Sequence, residues 1–99
     1  MPISAQVWTL PDEKLAYCTH SSIGEIIREA RKMDMPMLGN VDQYDDTRFN
    51  RMQMKLVSSE LLMLASTQSG DGLDAVEELL ALVELVKERP HRYLVFVGD

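Results

Sequence analysis

The stretch RYLVFVG at residues 92–98 most constrains the fold, because it is apolar without alternation. Its β-branched and aromatic residues suit a strand, and a strand with no polar side has no wet face. It therefore belongs inside a sheet, covered on one face or on both. Its neighbour is found near the start of the sequence. ISAQVWTL at 3–10 sets Ile3, Ala5 and Val7 on one side against Ser4, Gln6 and Trp8 on the other, the period of a half-buried strand. Pro11 suits the second position of a type I turn, and residues 15–19 can return as the other arm of a hairpin. The strand at 92–98 is expected beside the one at 3–10.

Three helical patterns lie between these strands. Ile23, Ile26, Ile27, Ala30 and Met33 form the apolar stripe of a helix over about 23–34, with Ser22 and Glu25 spaced as a capping box. Pro36 ends it, since the residue before proline avoids helical geometry. A second helix is expected over about 46–68, with an apolar arc wide enough to be sandwiched between other elements. A third runs over about 73–89. There Asp74, Glu77, Glu84 and Glu88 oppose Val76, Leu79, Leu82, Val83 and Val86. The sequence predicts a single small α+β domain in the order β-β-α-α-α-β, its sheet packed against the helices.

The charge balance narrows the partners. Sixteen acidic residues against ten basic ones leave a net charge of −6. Such a surface repels phosphates and anionic lipid and attracts a cationic protein, so neither nucleic acid nor membrane is an expected partner. Cys18 is the only cysteine, so no internal disulfide can form, and a free thiol suits a reducing compartment. MPISAQVWTL lacks the basic and long apolar regions of a secretory signal. No apolar run approaches the roughly 20 residues of a membrane span. The expectation is a cytoplasmic protein without cofactor.

Candidate chemistry is sparse. NVDQYDDTRF at 40–49 crowds Asp42, Asp45 and Asp46 around Tyr44, but neither register fits a calcium loop: position twelve falls on Arg51 or Gln53. The alternatives are a cap for the helix expected from 46, or an acidic contact surface with Tyr44 as its apolar anchor. Met33, Met35, Met37, Met52 and Met54 offer soft ligands, which Cys18 and His20 could join around Cu(I), but flexible methionines more commonly fill cores or pliable patches. No metal is expected.

Cys18 and His20 share a strand face without an orienting acid, and His91 precedes the last strand. Arg48, Arg51 and Lys55 form a basic stripe without any phosphate-binding motif. Glu60, one heptad after Gln53, projects from the apolar arc of the second helix as a possible buried polar site. A buried carboxylate must find an arginine, backbone donors or water.

No catalytic set emerges. The leading expectation is an immunity or inhibitor protein that occludes a basic, toxin-like partner with Asp42, Tyr44, Asp45, Asp46, Asp74, Glu77, Glu78, Glu84 and Glu88. The alternatives are a small enzyme or ligand-binding domain with Glu60 in a cleft, and an oligomeric accessory subunit that pairs through the second helix as a homodimer.

Overall fold

The computed structural model describes residues 3–10 and 13–98. The turn expected at 11–14 therefore falls partly outside the described residues. Among those described, four strands form one antiparallel sheet: β1 (Ser4–Thr9), β2 (Glu13–Cys18), β3 (Thr47–Asn50) and β4 (Arg92–Val97), in the order β2-β1-β4-β3. The α+β class, the succession β-β-α-α-α-β and the pairing of the last strand with the first are as the sequence predicts. The fourth strand, β3, is an addition.

Helix α3 (Gly70–Glu88) packs on the sheet against β1, β2 and β4, and helices α1 (Ile23–Lys32) and α2 (Met54–Ala65) pack against α3. Ala5 and Val7 of β1, Leu94 and Phe96 of β4, and Phe49 of β3 alternate inward to meet the helices' buried stripes. Phe49 meets Phe96 edge-on, with ring centroids 6.0 Å apart. β4 runs inside the sheet, as its composition demands. Val95 points away from the helices yet has no exposed surface, because Gln6 and Arg48 flank it in register. Trp8 completes that outer cover. Its indole N–H donates to Gln6 Oε1 at 2.6 Å, and its ring lies between Lys14 and Arg48, 5.5 and 4.8 Å from the centroid.

The helix expected from 46 is corrected at its start. Thr47–Asn50 pairs with β4, a 3-10 turn covers Arg51–Gln53, and α2 follows. Asn50 is the cap: its side chain accepts from Gln53 N, while Gln53 Oε1 accepts from Asn50 N. Asp45 and Asp46 cap nothing, because they precede a strand. The box expected at Ser22 also fails to form. Ser22 occupies the cap position without a side-chain bond, and its N–H donates to His20 Nδ1 at 3.1 Å.

No helix among the described residues is long and apolar enough to cross a membrane.

Candidate functional site

Register decides which acids meet. Ala5 pairs with Cys18 and with Phe96, and Phe96 pairs with Thr47. The end of β2, the start of β3 and the end of β4 therefore lie at one end of the sheet. The loop 42–46 enters β3 at one corner of that end, and residues 18–20 leave β2 at the other. Three inter-strand spacings put the corners about 14 Å apart.

At the first corner the loop ties down its own backbone. Asp42 N donates to Thr47 Oγ1 at 2.9 Å, Tyr44 N to Asp42 Oδ1 at 2.8 Å and Asp46 N to Asp45 Oδ1 at 2.8 Å. These local bonds explain why three acids cluster here: short carboxylates satisfy turn donors while keeping their charge in water. Tyr44 is left 73% exposed. Gly98, just after β4, supports the loop from beneath, where a Cβ would collide with the backbone N and O of Asp45. Gly98→Ala is thus expected to displace residues 44–46 and destabilise the fold by about 1–3 kcal/mol, the range for overpacking. Thermal melts, with amide shifts confined to this corner, check it.

At the second corner α3 brings its own acids. Glu78 Oε2 accepts from the Cys18 thiol at 3.6 Å, and Asp71 and Asp74 lie within 4.8 Å of a His20 ring nitrogen. Asp71 is a member that charge patterning along the helix did not single out. His20, Asp71 and Asp74 bring one imidazole and two carboxylates within reach of one another, but His20 is already committed. Its Nδ1 lone pair accepts the Ser22 N–H, so a neutral ring carries its proton on Nε2 and has no lone pair left for a metal.

The remaining acids are elsewhere. Glu88 sits 3.4 Å from Arg92, at the start of β4 and so at the opposite end of the sheet; Glu84 sits 3.3 Å from Lys87. Glu77 is exposed on α3. The acidic set thus divides: Asp42, Asp45, Asp46, Asp74 and Glu78 join Asp71 at one end, while Glu84 and Glu88 spend their charge on neighbouring cations.

The residues considered for catalysis do not converge. Cys18 is buried, and burial first of all pushes its thiol above the ordinary value; the backbone N–H of His20 opposes that shift and Glu78 adds to it. The thiol is protonated and weakly nucleophilic at neutral pH. Because the folded state holds this proton more tightly than the unfolded chain, its contribution to stability is complete below the unfolded thiol's pKa. It is lost as pH rises through the folded value. Stability is therefore expected to fall above pH of about 8.5, and less so in Cys18→Ala, as read from urea midpoints across alkaline pH.

His91, in a positive-φ turn, passes its carbonyl to Leu10 N and Thr9 Oγ1 at the far end of the sheet. Glu60 is only 7% exposed, and both its oxygens are used: Oε1 accepts from Leu38 N at 2.8 Å and Oε2 from Met37 N at 3.0 Å. It joins α2 to the 3-10 turn Leu38–Asn40, while Gln53 is turned back to Asn50. Met35 and Met54 belong to the core, whereas Met33 and Met52 are exposed, so the methionines share no centre. The chain matches no family model, no curated protein and no solved structure.

Proposed function

We propose that the chain is a small binding protein of the immunity or inhibitor kind, whose acidic end covers the basic active site of a partner such as a bacterial toxin nuclease. The observation that carries this reading is the loop 42–46. Three of its backbone N–H groups, those of Asp42, Tyr44 and Asp46, are already satisfied by Thr47, Asp42 and Asp45, so the loop that carries Tyr44 and the carboxylates is held in position before any partner arrives. A contact loop that is ordered in advance loses less entropy on binding.

In this mechanism Asp42, Asp45 and Asp46 pair with the lysines and arginines that a nuclease uses to hold phosphates, and Tyr44 fills the cleft between them. Asp71, Asp74 and Glu78 extend the negative field across the end of the sheet and steer the partner in. The cytoplasm is the compartment in which such a protein guards its own cell.

The test is coexpression with the product of the adjacent reading frame. The expected result is growth arrest by that product alone, rescue by this chain, and no rescue by the Asp42→Lys/Asp45→Lys/Asp46→Lys variant. A harmless neighbour that forms no complex with this chain contradicts the reading.

A further inference from the structure

α2 is apolar on two sides, and only one of them is used. Met54, Val57, Leu61 and Leu64 enter the core. On the opposite side Leu56 is 52% and Met63 56% exposed, with Ser59 between them, and Met52, at 86% exposure in the 3-10 turn Arg51–Gln53, precedes them. Within α2 the spacing of Leu56, Ser59 and Met63, three and four, keeps them in one line on a helix of about 3.6 residues per turn, and Met52 extends that line by one tighter 3-10 turn. With neighbouring Leu62 they present on the order of 500 Å² of apolar surface, the size of a monomer's largest patch, which is often functional.

We infer that this stripe packs on the same stripe of a second copy, the two helices antiparallel about a two-fold axis. The order of side chains argues for a copy of this chain. Reversing the stripe about the point between Val57 and Ser58 exchanges Met52 with Met63 and Leu56 with Ser59. In that register each Leu56 drops into the space above the partner's small Ser59, and thioether meets thioether at both ends. A surface that complements itself under a two-fold rotation closes as a dimer.

The area agrees, since two such patches bury about 1,000 Å² before their flanks are counted, the lower bound for a specific interface. Charge does not oppose it strongly. Glu60 is buried, and Arg51 donates to the Lys87 carbonyl at 3.2 Å, next to the negative end of α3. Within α2 itself the other charged residue is Lys55, which is exposed. The contact is apolar and lies on a different element from the acidic end, so this inference stands or falls separately from the proposed partner.

Sedimentation equilibrium of the full chain, from micromolar to submillimolar concentration, tests it. A dimer that is insensitive to salt is expected, with Leu56→Glu/Met63→Glu monomeric and unchanged in circular dichroism. In a Cys18→Ala background, Met52→Cys/Met63→Cys is expected to form an intermolecular disulfide. Met52→Cys alone is not, because its two copies lie at opposite ends of the antiparallel pair, on the order of 16 Å apart. A monomer at every concentration overturns the inference, as does a dimer that survives the double glutamate substitution. Efficient cross-linking of Met52→Cys alone, the signature of parallel helices, overturns it too.

Discussion

Glu60→Ala is expected to remove about 2–4 kcal/mol of folding stability, the cost of leaving buried donors unpaired. Two donors are at stake, Met37 N and Leu38 N, each now bonded to its own carboxylate oxygen. With alanine at 60 neither has its partner, and Leu38 itself is fully buried. Removing a charge that was costly to bury offsets part of this loss. Glu60→Gln keeps one acceptor oxygen but turns an amide N–H₂ toward the second donor, so it is expected to lose about half as much. Against a typical total of about 5–15 kcal/mol, the alanine variant has a visibly lower urea midpoint with an unchanged slope. A midpoint within error of the parent contradicts the assignment of Glu60 as the clasp between α2 and residues 37–38.

The second large effect concerns binding. Converting Asp42, Asp45 and Asp46 to lysine is expected to weaken binding to the proposed basic partner by about 100-fold or more, because reversal replaces attraction with like-charge contact. Most of the loss should appear at low salt as slower association, and the remainder as faster dissociation from the desolvated pairs around Tyr44. Folding should be affected little, with one exception that the geometry identifies. Asp42 and Asp45 each accept a backbone N–H within the loop, which lysine cannot do. A small local loosening therefore accompanies the change of charge. Asp42→Asn/Asp45→Asn keeps a side-chain acceptor at both positions and removes charge alone, which separates the two contributions.

Elements with one strong period were legible in the sequence. The alternation of β1, the unbroken apolar run of β4 and the split faces of α1 and α3 each left one structural solution. β3 was hidden because Phe49, Met52 and Leu56 also fit a helical stripe, and four residues are too few for alternation to dominate. The signal that could have exposed it is Asn50 followed three residues later by Gln53, a capping pair that places the helix start after the strand.

The burial of Glu60 was legible, but its partners were not. They are backbone groups of a loop 22 and 23 residues away, and composition does not reveal backbone donors. The acidic surface was legible as a list of residues and not as a place. Only the strand register shows that Asp42 and Asp74 belong to one end of the sheet while Glu88 belongs to the other.

That division supplies the most direct test of the account. The dissociation constant for the proposed basic partner would be measured for Asp42→Lys/Asp45→Lys/Asp46→Lys and for Glu84→Lys/Glu88→Lys, two variants reversed in sign on different parts of the same fold. A loss of about 100-fold or more is expected for the first and a change of less than about threefold for the second. Equal losses, or a larger loss for the α3 variant, would contradict an acidic end as the binding surface.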